Sequence, residues 1–119
     1  MSKTQNVELR SRTKTFALRI IRLYVSLPKT TEAQVLGKQV LRSGTSVGAH
    51  YREAQRAKSD ADFISKVEGG LQELDETAYW LELLVESKIV AERKLAALMK
   101  ETDELTAILV TIVNKMKRK

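Results

Sequence analysis

His50 and Glu53 stand three residues apart, a spacing that puts an imidazole and a carboxylate on one face of a helix. This is a fragment of the set used by di-metal carboxylate bundles, which need two Glu-x-x-His pairs and two further glutamates. The chain has only one histidine and no cysteine. A nucleophilic relay through His50 would need a partnered serine and an orienting carboxylate, and no serine has such a context. Gly37, Gly44 and Gly48 lie within a helical pattern and do not follow a strand, so no phosphate-cradling loop is indicated. No catalytic centre, metal or cofactor is therefore expected, and His50 reads as a surface or lightly packed side chain.

The cations carry more information. Residues 1–58 hold 12 Lys/Arg against 3 Asp/Glu, a net charge of +9; residues 59–114 hold 5 against 12, a net of −7; residues 115–119 add +4. Arg12, Arg19 and Arg22 fall along one flank of a first helix, Arg10 and Lys14 along another, and Arg42, Arg52, Arg56 and Lys58 extend the basic half. Such a surface suits phosphate contacts without sequence readout. No aromatic row interleaves the cations, which argues against a stacking platform for single strands. Two other readings stay open: pairing of the basic half of one subunit with the acidic half of another, and plain solvation.

Four helices must position these groups. The first carries Leu9, Thr13, Phe16, Ile20, Leu23 and Leu27 at alternating steps of three and four, and Pro28 ends it. Thr31 is expected to open the second, with T-E-A-Q as a capping box and Leu36, Val40, Val47, Tyr51 and Ala54 on one side. Ser59 is the expected cap of the third, with Asp60 and Asp62 in its first turn and Ile64, Val67, Leu71, Leu74, Ala78, Leu81 and Val85 as its seam. The fourth has Leu95, Leu98, Thr102, Leu105, Leu109, Ile112 and Met116. Short connections imply an all-α, antiparallel up-down-up-down four-helix bundle in a single domain over 1–119, with residues 115–119 frayed. An Arg-rich targeting presequence over the first 29 residues is disfavoured, because its removal would leave three helices with an uncovered seam. No apolar run approaches the roughly 20 residues of a membrane span, and without cysteine the cytoplasm is the expected compartment.

Gly37, Gly44 and Gly48 each cost up to about 1 kcal/mol relative to alanine inside a helix; Gly44 and Gly48, one turn apart with Ser43 and Ser46 nearby, are expected to mark close approach by another helix, with a ligand pocket as the alternative. Gln39, Arg42, Ser46, Ala49 and Glu53 step by three and four as a polar stripe beside the apolar seam. The stripe either lines a ligand or pore surface, or holds Arg42 against an acid such as Glu53 or Glu73.

The stretch Q-V-L-R-S-G-T-S-V-G-A-H-Y-R-E-A, Gln39 to Ala54, resembles the signature helix of the bacterial four-helix-bundle family of 23S ribosomal RNA intervening-sequence proteins. Leu27-Pro28 falls at that family's first turn, Arg56 to Phe63 resembles its entry to helix three, and Gly69 to Thr77 its helix-three block. The likeness covers most of residues 16–90, and helix four is only generically similar. Family members often read Asn-Ile-Ala-Glu-Gly where this chain has His50 to Ala54, a loss of glycine expected to lengthen helix two. The resemblance makes Gln39, Arg42, Ser46 and Glu53 signature positions and implies a ring-like homopentamer. Related accessory variability determinant proteins bind nucleic acid and partner a reverse transcriptase. RNA or DNA, and a nucleic-acid-processing protein of that kind, are accordingly the expected partners beside the chain itself.

Self-association is expected from the residues as well. Leu18, Ile21 and Val25 lie well away from the seam of the first helix, and Tyr79 and Leu83 from that of the third. One stripe per helix suffices for a bundle, so these second patches suit a heterologous contact between copies. Trp80 beside them is either an aromatic anchor or a widening of the core. The function so read is a non-enzymatic oligomeric scaffold with weak, sequence-tolerant nucleic-acid binding; a protein-binding adaptor or a structural oligomer is the alternative.

Overall fold

Three of the four helices begin where a polar side chain satisfies the backbone, and the fourth begins after Ala91 without a side-chain cap. In the computed structural model, which describes residues 2–119, α1 spans Lys3–Ser26, α2 Thr31–Gln55, α3 Asp60–Glu86 and α4 Glu92–Lys117. Ser2 caps α1 by accepting the Gln5 N–H at 3.0 Å. Ser59 caps α3 by accepting the Asp62 N–H, while Asp62 Oδ2 accepts the Lys58 N–H in return. The expected cap of α2 is displaced by one residue. Thr30, not Thr31, takes the extended cap conformation and accepts from Ala33 N–H. Gln34 then falls one position too late to close a capping box. Its amide donates to the Pro28 carbonyl and accepts from the Tyr24 hydroxyl, fastening the first turn. At the far end α2 runs through Ala54 to Gln55, and the tail expected to fray is helical to Lys117.

The α3–α4 connection closes on a left-handed residue that is not glycine. Lys88 has φ 64°, and the N–H groups of Lys88 and Ile89 bond the carbonyls of Val85 and Leu84 at 3.0 and 3.1 Å. This is the paired-bond ending in which glycine is favoured, since a Cβ crowds the backbone there. Lys88→Gly is expected to stabilise the fold by about 0.5–1 kcal/mol, read from urea midpoints. A lower midpoint would mean the lysine side chain contributes more than the strain it brings.

Pairs across each interface fix the direction of the helices. Ile20 meets Gly44 and Thr13 meets Gly48 between α1 and α2, and Arg42 meets Glu76 while His50 meets Gly69 between α2 and α3. Gly70 lies near Leu109 and Glu68 near Lys117, and Arg12 reaches Glu101. In the three successive pairs one number rises as the other falls, so these neighbours are antiparallel; α1 and α4 follow suit, Ser2 and Gln5 lying beside Lys115 and Arg22 and Ser26 beside Lys94, within a body of 47 × 22 × 21 Å.

The core holds Leu9, Phe16 and Ile20 of α1, Val40, Val47 and Tyr51 of α2, and Leu95, Leu98, Leu105 and Leu109 of α4, as the stripes require. On α3 the buried face is rotated from the expected one. Ile64, Leu71, Ala78 and Val85 are only half-buried, while Gly70, Glu73, Thr77 and Leu84 join Val67, Leu74 and Leu81 inside. The shift is roughly a fifth of a turn. Its cause is close α2–α3 packing: Gly70 leaves room for His50 and the Val47 carbonyl, and Thr77 Oγ1 meets Ser43 Oγ at 2.8 Å. Thr77 donates across the interface and Ser43 passes its own proton to the Gln39 carbonyl, so neither buried hydroxyl is left unpaired.

Candidate nucleic-acid interface

The fold divides the nine candidate phosphate-binding cations into two groups. Arg12 is taken: its Nε and Nη2 donate to the two oxygens of Glu101 at 2.7 Å each, and Nη2 lies 3.4 Å from Glu104. Hydrogen bonding to Arg12 holds the Glu101 carboxyl below its ordinary range, and the same bond pushes Arg12 further up. A carboxylate with a lowered folded pKa stabilises the fold above its unfolded pKa, and that contribution is lost as pH falls through the folded value. The clip therefore holds at neutral pH.

Arg42 is taken as well. It donates to both oxygens of Glu73, at 3.1 and 3.3 Å, and to Glu76 on α3. Glu73 is 8% exposed, so its charge needs this partner. Of the two readings of the polar stripe, the geometry places Arg42 against Glu73. Glu53 instead faces His50 and Lys66, each at 3.8 Å, and the Ser46 hydroxyl returns to the Arg42 carbonyl. Gln39 is half-buried beside it.

Seven of the nine form no ion pair among the described residues: Arg10, Lys14, Arg19, Arg22, Arg52, Arg56 and Lys58, although the charge of Arg19 also acts on Glu101. Arg19 and Arg22 lie on the α4 side of α1, close to the flank of Arg12. Arg10 and Lys14 lie on the opposite flank, toward α2. With Gly48 seated on Thr13, helical register brings Arg52 and Arg56 over the N-terminal half of α1, beside that flank. Four exposed guanidinium and ammonium groups thus share the outer surface of the α1–α2 pair, and Lys58 follows in the next connection.

Gly44 and Gly48 mark the approach of α1, as their type suggested, though by different means. At Gly48 the neighbour includes the Thr13 backbone at 3.6 Å, whereas at Gly44 the room is filled by the Ile20 side chain. A Cβ on Gly37 would lie 2.6 Å from Leu27 and 3.0 Å from Tyr24. Sequence reasoning gave no structural part to Gly69 and Gly70, although a glycine pair inside a helical stretch was the available signal. His50 packs on Gly69, with Nδ1 buried and no hydrogen-bond partner among the described residues. Tyr51, whose hydroxyl donates to Asn6 Oδ1 at 2.9 Å, is pushed by burial up to about 12.

The apolar second patches differ between helices. Leu18, Ile21 and Val25 are 45, 40 and 69% exposed on the side of α1 away from the core. Tyr79 on α3 is 53% exposed, but Leu83 is half-buried and Trp80 packs on the core, its ring 5.1 Å from that of Tyr79. The Trp80 Nε1–H is buried without an acceptor among the described residues.

Fold and surface together define a small antiparallel four-helix bundle in which the basic helices α1 and α2 pack on an acidic α3, with α4 close to neutral. The chain belongs to the 23S rRNA-intervening sequence protein family, whose model matches residues 5–111. Among solved structures it is similar to a protein of unknown function from the S23 ribosomal protein family of Bacteroides thetaiotaomicron VPI-5482. The two share 38% identity at a TM-score of 0.86, over 92% of this chain and 97% of that one. Comparison with curated proteins returns no match.

Proposed function

We propose that the protein is a non-catalytic, self-associating scaffold that holds nucleic acid by its phosphate backbone on the α1–α2 surface. The observation that carries this reading is the cluster of Arg10, Lys14, Arg52 and Arg56, which have no acidic partner among the described residues, while Arg12 and Arg42 are paired with acids of α4 and α3. Long cationic side chains on two parallel helix faces meet phosphates without reading bases, so binding is sequence-tolerant and salt-sensitive. The exposed Leu18, Ile21 and Val25 support association of copies, in the five-membered ring that the resemblance implies.

The test is fluorescence anisotropy with random-sequence duplex DNA and RNA at 50 and 200 mM salt, beside light scattering of the free protein. About four phosphate contacts lead to an affinity loss of roughly a hundredfold between those salts. Replacing Arg10, Lys14, Arg52 and Arg56 with glutamine is expected to remove most of the binding, whereas Arg12→Gln leaves it nearly unchanged. Undetectable binding at 50 mM, or affinity indifferent to the fourfold change, defeats the nucleic-acid reading. A monomeric mass for the parent defeats the scaffold.

A further inference from the structure

The bundle is closed unevenly. α1 and α4 pack far more sparsely on each other than any other neighbouring pair, and the Arg12–Glu101–Glu104 clip bridges the seam near its middle. On each side of the clip lies an open hollow with an apolar floor and cationic edges. The one at the α4 C-terminal end, about 630 Å³, is floored by Ile108, Ile112 and Met116 and edged by Lys115 and Lys119. The one at the α4 N-terminal end, about 340 Å³, is floored by Leu23 and Leu98 and edged by Arg19, Arg22 and Lys94. No acid lines either hollow among the described residues, and the acids of the seam, Glu101 and Glu104, sit between the two and are paired with Arg12.

We infer that the α1–α4 seam is a docking trough for an acidic amphipathic helix of a partner protein. The two hollows lie in line along α1, whose 24 residues span about 36 Å. A helix laid along the seam places apolar side chains three and four residues apart into both floors. Its flanking Glu and Asp residues then reach the five edge cations, none of which forms an ion pair among the described residues. A nucleic-acid backbone matches the edges but has nothing to cover the half-buried Leu23, Ile108 and Met116 of the two floors. A lipid surface is too flat to enter a trough between two helices. This role goes beyond the phosphate-binding surface, which lies on the other flank of α1.

The probe is a fluorescein-labelled synthetic 25-residue peptide with a leucine stripe flanked by glutamates, titrated against the full chain by anisotropy. A scrambled peptide of the same composition serves as its control. Ala107→Trp and Ser26→Trp each fill one hollow without altering charge, since both residues are exposed at its edge. The expected result is binding of the amphipathic peptide at least tenfold tighter than the scrambled one, weakened at least tenfold by each tryptophan. Should a tryptophan variant lose its helical circular dichroism, the double change Lys94→Glu, Lys115→Glu replaces it, with the same loss expected. Equal binding of the scrambled peptide means charge alone acts and overturns the inference, as does undiminished binding by the folded variants. Absence of probe binding, with Ala107→Trp lowering the mass of the assembly, shows a second copy in the trough and overturns it too.

Discussion

Gly44→Leu will leave the chain unable to hold its native bundle. A Cβ at this position lies 2.6 to 2.9 Å from three atoms of Ile20, which is itself fully buried and branched at Cβ, so it has no rotamer to retreat into. Even alanine must push Ile20, and overpacking of that kind costs about 1–3 kcal/mol against a helix-propensity gain of at most about 1 kcal/mol. Leucine adds three more carbons to a site with no free volume, at an expected cost of about 4 kcal/mol or more, comparable to the whole stability of a marginal domain. Circular dichroism melts check this, with two internal controls. Gly48→Ala, whose Cβ comes no nearer than 3.2 Å to the Thr13 hydroxyl, is expected to be nearly neutral. Gly70→Ala, with nothing nearer than 3.6 Å, is expected to raise stability. A Gly44→Leu variant that melts at or above the parent would mean that α1 does not lie where Ile20 places it.

The second large effect belongs to Arg42. Replacing it with leucine strips Glu73 of the one basic partner it has among the described residues while leaving the carboxylate nine-tenths buried. An uncompensated charge in that position costs several kcal/mol, but half of the Arg42 side chain is exposed and water reaches the pair, so about 2 kcal/mol is expected. Replacing Glu73 with leucine in the same chain should recover most of the loss, because the buried charge goes with it. Urea melts of the two single variants and the double variant give the coupling directly. Additive effects would show that the pair is not a unit. The result also separates the two meanings of this stripe: a ligand-lining arginine could be removed without such coupling to Glu73.

The two effects rest on features of different legibility. The glycine at position 44 announces a close contact from its residue type alone, because a helix interior tolerates glycine only where something offsets its cost. What fills the space was not readable: Ile20 lies 24 positions away, and it could be named only once the stagger of α1 on α2 was known. Arg42 was readable as a cation beside a seam needing an acid, and Glu73 was among the acids within reach of such an argument. Glu76 was not, since its part depends on the rotation of α3.

Four helices, their apolar stripes, the cap at Ser59, the stop at Pro28 and the segregation of charge along the chain follow from the chain's own order, because each is a periodicity, an end effect or a count confined to a stretch of sequence. The face that α3 buries differs from the one the same periodicity predicts. Gly70, Thr77 and Glu73 look unsuited to a core until Val47, Ser43 and Arg42 are seen opposite them. The same limit applies to the charges. Sequence can count cations on a flank, but only tertiary structure decided that Arg12 and Arg42 are consumed by acids on α4 and α3 while Arg10, Lys14, Arg52 and Arg56 stay open to solvent. An ion pair between helices depends on their relative rotation and stagger, which are set by how the side chains of both surfaces interlock, and no local pattern in either helix encodes that fit.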